Sequence, residues 1–375
     1  MKLAIVTNAD WFFLSHRLPI ALAAMKRGDD VWLLSKNTGK RNEIEAHGIH
    51  FIDIPFDRSG TNPIHEMRCV WLLLQAYRHV RPDVIHHVTI KAALLGSAAA
   101  KLGGFPHVVN AISGMGYAFT NGRKGLLQSV MKTVMNYAFQ KRTFAFILQN
   151  PEDQAEIRRQ HFVPDRQVYL IKGSGIDLDE YHYTPPASKD KIEILFPARI
   201  LKDKGVLEFI QAAQRLRSTY EGRVRFVLAG DCDEGNPSVL HEAELRTMLI
   251  PGYLEWIGYQ KQMRPIYEHC DIVCFPSYRE GLPKSLIEAC AVGRPIITTD
   301  VPGCRECVIN GYNGFLVPAK EVLPIRDRLK DLIEDETIRM TFGKHSREFA
   351  EKEFSIKLVV QRHLDIYDSL LNQPS

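Results

Sequence analysis

Residues 271–299 read DIVCFPSYREGLPKSLIEACAVGRPIITT, and the order of apolar and polar positions in them decides the fold. Ile272–Phe275 is a short apolar run of the kind that forms a strand buried on both faces. A polar loop containing Gly281 and Pro283 follows, then a helix-length segment, then a second β-branched run, Pro295–Thr299. Strand, crossover helix and strand make the unit of a parallel sheet.

The same alternation extends in both directions. In the first half, strands are predicted at Lys2–Thr7, Asp30–Ser35, Ile49–Ile54, Asp83–His87, His107–Ala111 and Thr143–Gln149, and these six form one complete doubly wound α/β sheet. In the second half, Ile192–Pro197, Arg225–Ala229, Tyr253–Trp256, Ile272–Phe275, Pro295–Thr299 and Gly314–Val317 form another. Between the two series lie Gly173-Ser174-Gly175-Ile176-Asp177 and the polar, Pro-containing stretch Tyr183–Lys191, a hinge and linker. Helical segments near 321–334, 336–352 and 355–371 close the chain. The expected domains are 1–172 and 173–354, with 355–375 a helix crossing back onto the first. No internal repeat is visible.

A chain of 375 residues suits two such domains. Its 45% apolar and 25% charged residues are ordinary for a soluble protein, and its glycines and prolines follow no triplet period, which excludes collagen-like and disordered classes. No apolar stretch is long enough to span a membrane, and the opening MKLAIVTNADWFF is too short in its apolar run for a signal peptide, so a cytoplasmic location is expected. Seven scattered cysteines read as reduced thiols. Cys270/Cys274 and Cys304/Cys307 come nearest to zinc spacing, but Cys274 falls within a buried strand. The net charge of +4 divides unevenly, +9 over residues 1–172 and −5 over the remainder, so the first half is expected to face something anionic. Nucleic acid is not expected, because zinc-finger spacing, RNP sequences and basic-aromatic interleaving are all missing.

Open α/β sheets take ligands beyond the carboxyl ends of their strands. Two of them facing each other across a cleft would place an active site between domains. The dinucleotide fingerprint is missing: Asn8-Ala9-Asp10-Trp11 follows the first strand without a glycine, Gly114-Met115-Gly116 lacks the third glycine, and there is no Walker sequence. The second half carries a different constellation. After Ile192–Pro197 comes ARILKDKG, which places Arg199 and Lys204 around a turn into a helix. A diphosphate calls for such an arrangement, with a forked guanidinium, an ammonium and helix-terminal amides converging on its oxygens. After Ile272–Phe275, Glu280 falls in the loop and Glu288 in the next helix, two carboxylates able to hold two sets of hydroxyls. Cations for a diphosphate with acids for polyols describe a nucleotide-sugar site.

The stretch DIVCFPSYREGLPKSLIEACAVGRPIITTDVPGCRECVINGYNGFLVP resembles the diagnostic segment of glycosyltransferase family 4, retaining enzymes of the GT-B fold. The likeness takes in Ala198–Gly205, the GSGID turn and, more loosely, RPDVIHHVTIKAALLGSAAAKLGGFPHVVNAISGMG. The opening NADWFFLSHRLPIALAAMKRGDDV is similar to the bacterial subgroup that builds lipid-linked oligosaccharides and surface polysaccharides, among them transferases acting on undecaprenyl-diphosphate sugars. The resemblance implies that Arg199 and Lys204 neutralise the donor diphosphate, Glu280 holds the transferred sugar and Glu288 binds the ribose. Gly281, Leu282 and Pro283 would complete the cradle, the first two through their amides. The loop Ile257, Gly258, Tyr259 and Gln260 would meet the base, and Glu306 matches a recurring glutamate without an assigned role.

The implied reaction is retaining transfer of a hexose or N-acetylhexosamine from a UDP-sugar to a polyprenyl-diphosphate-linked saccharide at the cytoplasmic membrane face. It implies no cofactor and no divalent metal. The family's His-Gly pair is replaced by Ser113-Gly114, and its glycine-rich first loop by Asn8-Ala9-Asp10. No general-base histidine carries over, which leaves Asp10, His16 and Ser113 without roles. Arg17 and Lys91 are candidates for the acceptor diphosphate, while His87 is expected to pack or cap. Asp231-Cys232-Asp233 resembles a metal motif, but a metal would be redundant beside Arg199 and Lys204. RKGLLQSVMKTVMNYAFQKR, residues 123–142, reads as a basic, apolar helix suited to an anionic bilayer interface or to packing on its own sheet. The rival readings are a UDP-N-acetylglucosamine epimerase-like enzyme and a non-catalytic nucleotide-sugar sensor.

Overall fold

The computed structural model describes residues 1–57, 62–112, 135–141, 143–186 and 190–372. Two compact units emerge, Met1–Ser174 together with the terminal stretch from Lys357, and Gly175–Ile356.

In the first unit, β1 (Lys2–Val6), β2 (Asp30–Ser35), β3 (His50–Asp53), β4 (Val84–Val88), β5 (Val108–Ile112), β6 (Phe144–Leu148) and β7 (Val168–Leu170) form one parallel sheet. The order is β3-β2-β1-β4-β5-β6-β7. Its helices are α1 (Asp10–His16), α2 (Leu18–Lys26), α3 (Arg41–Glu45), α4 (Pro63–Val80), α5 (Ile90–Gly103) and α6 (Pro151–Gln160). Strand alternation sorts the core: Ala4 and Val6 pack with Leu73 and Tyr77 of α4 and Ala92 and Ala93 of α5 on one face, Leu3 and Ile5 with Phe13, Ile20 and Ala24 on the other. The sheet has seven strands among the described residues where the sequence predicts six. The addition, β7, is only three residues long and half-buried, and it pairs Phe146↔Val168 at an edge, too short to register as an apolar run.

The second unit repeats the plan with β8 (Ile192–Pro197), β9 (Val224–Ala229), β10 (Leu254–Trp256), β11 (Ile272–Phe275), β12 (Ile296–Thr299) and β13 (Gly314–Val317). These are parallel in the order β10-β9-β8-β11-β12-β13. Helices α7 (Val206–Tyr220), α8 (Glu242–Met248), α9 (Arg264–His269), α10 (Lys284–Val292), α11 (Val322–Glu334) and α12 (Glu336–Glu353) cover its faces. The final helix, α13 (Ile356–Leu371), lays Val359, Ile366, Tyr367 and Leu370 onto the Leu3/Ile5 face of the first sheet, each worth about 2 kcal/mol of burial. Tyr367 Oη lies 2.6 Å from His86 Nδ1 on β4, and Arg27 pairs with Asp368 at 3.0 Å.

Each sheet reverses its strand order once beside its first strand, between β1 and β4 and between β8 and β11. Such a switch point opens a crevice at the carboxyl ends of the strands, which is where a ligand site belongs.

Candidate active site

At the second switch point, the loops after β8 and β11 are tied together by backbone. The loop after β8 runs through Arg199 into a single 3₁₀ turn, Lys202–Lys204, and then Gly205, the residue that opens α7. Gly205 has φ +78°, and a Cβ there would overlap the Pro276 carbonyl of the loop after β11. The Tyr278 amide donates to the Asp203 carbonyl at 2.9 Å, and Tyr278 Oη donates to Glu208 at 2.7 Å. This lacing carries Lys204 onto Glu280 in a direct ion pair, both side chains largely buried. Ser277 Oγ donates to the same Glu280 oxygen at 2.7 Å. Gly303, after β12, backs against the carbonyls of Glu280 and Gly281, so the loop is braced from behind as well.

Arg199 pairs with Asp233 at 2.5 Å. Asp233, dismissed in the sequence as half of a metal motif, is thus the counter-ion of the predicted phosphate-binding guanidinium. Among the described residues, no group of three or more His, Cys, Asp or Glu is placed to hold a metal. The loop after β10 abuts the one after β9: the Gly230 amide donates to the Gly258 carbonyl at 2.9 Å, and Trp256 Nε1 to the Gly230 carbonyl at 2.8 Å. Gln260 Nε2 donates to the Ile257 carbonyl at 2.5 Å, and Tyr259 stands in solvent.

Leu282 is buried and Pro283 precedes the first turn of α10, with the Leu286 amide reaching back to the Pro283 carbonyl at 3.1 Å. This places the positive end of the α10 dipole directly after Glu280. Glu288, four residues beyond Lys284, is buried within α10. Tyr181 Oη donates to it at 3.2 Å, and Lys284 Nζ lies 3.7 Å away. Burial raises the Glu288 pKa, and the Lys284 ammonium and the Tyr181 and Tyr267 phenols only partly offset that rise. Glu306 sits on the short turn Arg305–Cys307 after β12. Lys204 and Glu280 are therefore in contact, Arg199 occupies the same β8 loop beside its own acid, and Glu288 sits on the helix that the Glu280 loop leads into. Sequence reasoning missed Ser277, Asp233 and Tyr181. Tyr181 is 107 residues from Glu288 and lies between the Gly173–Asp177 hinge and the Tyr183–Lys191 linker, where no pattern marks it.

The first unit arranges its candidates differently. Asp10, at the start of α1, is buried and accepts from the amides of Trp11, Thr38 and Lys40 at 2.7, 2.7 and 3.0 Å, and from the Thr38 hydroxyl. Burial would raise its pKa, but these hydrogen bonds outweigh burial and lower it. Asp10 therefore staples the β1 and β2 loops. His16 stacks on Phe12, and its Nδ1 lies 2.5 Å from Ser15 Oγ. Arg17 is 2% exposed, Nη1 donating to the His16 carbonyl, and burial lowers its pKa to about 10. Lys91, in the first turn of α5, pairs with Glu66 at 2.6 Å and reaches the Asp57 carbonyl. Ser113 and Gly114 lie outside the described residues, as does the 123–142 segment apart from residues 135–141. His87 is buried between Tyr77 Oη, 2.9 Å away, and Asn110 Oδ1, 2.8 Å away. None of the seven cysteines, all of them described, is in a disulfide, and burial pushes the Cys290 and Cys304 thiols up to about 12.

Two family models match the chain, a glycosyl transferase 4-like model over residues 2–150 and a glycosyl transferases group 1 model over residues 179–349. The chain is 28% identical, over 99% of both chains, to the N,N'-diacetylbacillosaminyl-diphospho-undecaprenol alpha-1,3-N-acetylgalactosaminyltransferase of Campylobacter jejuni. It is 23% identical, over 92% of itself and 90% of the relative, to the UDP-Gal:alpha-D-GlcNAc-diphosphoundecaprenol alpha-1,3-galactosyltransferase of Escherichia coli. Among solved structures it is similar to Anabaena HepE in complex with UDP and glucose, with a TM-score of 0.79 and 18% identity, covering 98% of this chain and 100% of that one.

Proposed function

Because the chain belongs to the group 1 glycosyltransferases, with a 4-like first domain and the GT-B fold, we propose that it transfers a hexose or N-acetylhexosamine from a UDP-sugar to a polyprenyl-diphosphate-linked saccharide, with retention at the anomeric carbon. The Lys204–Glu280 contact at the β8/β11 switch point carries this reading. A donor diphosphate placed there would meet the Lys204 ammonium, the Arg199 guanidinium and the amino end of α10. Glu280, released from Lys204 by the phosphate, would accept from the hydroxyls of the transferred sugar. Glu288 would accept from the ribose, and the Ile257–Gln260 loop would meet the base through its backbone.

In the chemical step the bond from the anomeric carbon to the phosphate oxygen breaks, and the acceptor hydroxyl bonds to that carbon on the same face. The hydroxyl proton passes to the departing phosphate oxygen, so UDP leaves and no protein base is required. Charge growing on the leaving oxygen is met by fixed dipoles and two cations, in the role that a divalent ion plays in other transferases. The relatives from Campylobacter and Escherichia coli, whose names specify undecaprenyl-diphosphate acceptors, support the acceptor class. No helix among the described residues is long and apolar enough to cross a membrane, and a lipid-linked acceptor would be met at the membrane's cytoplasmic face by peripheral contact.

The test is incubation with UDP- and GDP-sugars and polyprenyl-diphosphate-linked saccharides, with nucleoside diphosphate release and the anomeric configuration of the product as readouts. UDP release that depends on acceptor, with configuration retained, is expected. An inverted product would overturn retention, and turnover of donor alone would overturn transfer to a saccharide.

A further inference from the structure

One face of α4 is apolar where a water-facing helix is normally polar. Ile64, Met67 and Trp71 are 80%, 72% and 58% exposed, and their spacing aligns them in a single stripe. The opposite face is spent on the core, where Cys69, Leu73, Ala76, Tyr77 and Val80 are buried. Arg68, Gln75, Arg78 and His79 are the other exposed residues along and beside the stripe. The helix has one acid, Glu66, which turns aside to Lys91 at 2.6 Å. The stripe therefore presents large apolar groups and cations, with no anion of its own.

Its position matters as well. Lys91 stands in the first turn of α5, directly after β4, so its contact with Glu66 sets the first turns of α4 at the carboxyl edge of the first sheet. That is the edge at which such a sheet takes its ligand.

We propose that Ile64, Met67 and Trp71, flanked by Arg68 and Arg78, form the surface on which this protein rests against an anionic lipid bilayer. The apolar side chains enter the headgroup–acyl boundary, and the two arginines remain at headgroup level. Charge selects this occupant over a second copy of the chain, because an isologous pairing would set the arginines of one stripe near those of its partner with no acid between them. The proposal deepens the lipid-linked acceptor reading and rests on it for its purpose, though not for its test.

The full chain is sedimented with phosphatidylcholine vesicles with and without phosphatidylglycerol. Binding to the anionic vesicles, weakened by added salt, is expected for the unaltered protein. The variants Ile64→Ser/Met67→Ser/Trp71→Ser and Arg68→Gln/Arg78→Gln should each lose about tenfold or more in vesicle affinity, and the exposed positions should leave thermal melting unchanged. Brominated lipids should quench a tryptophan signal that Trp71→Phe removes. Undiminished vesicle binding by the triple variant overturns the proposal, as does loss of self-association at constant vesicle binding, which would make the stripe a protein interface. Transfer to a short-chain, water-soluble diphosphate-linked acceptor should be unaffected by the triple variant; loss of that transfer would assign the stripe to the site instead. Failure of the unaltered protein to glycosylate any acceptor, with vesicle binding intact, would overturn the transferase reading and leave the surface standing.

Discussion

Lys204 and Glu280 are 17% and 14% exposed, so each would face an uncompensated charge if the other were removed. The substitution Glu280→Gln keeps an oxygen for Ser277 and removes the charge, leaving the Lys204 ammonium without its counter-ion. We expect kcat/KM to fall about 10²- to 10³-fold, the scale of one preset electrostatic group, and the melting temperature to fall by several degrees while the chain stays folded at the assay temperature. Full activity in this variant would refute the role given to Glu280. Tyr181 tests the other carboxylate. Tyr181→Phe removes the Tyr181 hydrogen bond to Glu288 and leaves the Tyr267 phenol beside it, and the donor KM should rise about 3- to 10-fold at constant kcat; a fall in kcat alone would place Tyr181 elsewhere in the cycle. At this scale the sequence was informative about charge and silent about pairing. Strand ends located Arg199, Lys204, Glu280 and Glu288, since turns into helices are where such groups collect. That Asp233 would meet Arg199, or Tyr181 would meet Glu288, depends on contacts between loops far apart in the chain, which no local pattern encodes.

Elements transmit that positioning through close backbone approaches. Gly205 holds φ +78° and leaves no room for a Cβ beside the Pro276 carbonyl. Gly205→Ala should cost the second unit about 2 kcal/mol or more, part from the left-handed backbone and part from prying the β8 and β11 loops apart. Urea melts measure the loss, and parental stability with unaltered donor affinity would show that the loops have slack. Most elements were legible because β-branched runs and helix-length segments alternate so regularly: all six strands of the second sheet and the three closing helices lie where expected, give or take a residue or two at their ends. Strand β7 was not, since Val168–Leu170 gains its strand character only from pairing with β6. Nor was the outer face of α4 singled out, because apolar residues at helical spacing read as core until burial shows which side they occupy.

At the scale of the molecule, the two units bury titratable groups of opposite consequence. His86, His87 and His363 all belong to the first unit, and burial lowers the pKa of each, to about 4 for His87 and about 3 for His363. The Arg17 guanidinium adds to the depression at His86 and His363. A histidine whose folded pKa lies below its unfolded value lends stability above pH 6.5 and withdraws it as the pH falls toward the folded value. At pH 5 the cost is about 2 kcal/mol for each such imidazole. In the second unit, Glu288 is shifted the other way, its pKa raised by burial, so stability is fuller when it is protonated and declines as pH rises through its folded value. Acidification from pH 7.5 to 5 should therefore lower the melting temperature of the first unit by several degrees while the second holds or gains. Differential scanning calorimetry at the two pH values reads this directly, and His87→Gln should flatten part of the slope in the first transition alone. If both transitions moved together, or neither moved, the buried imidazoles could not be neutral in the folded chain. The packing of α13 over His86 would then need another account.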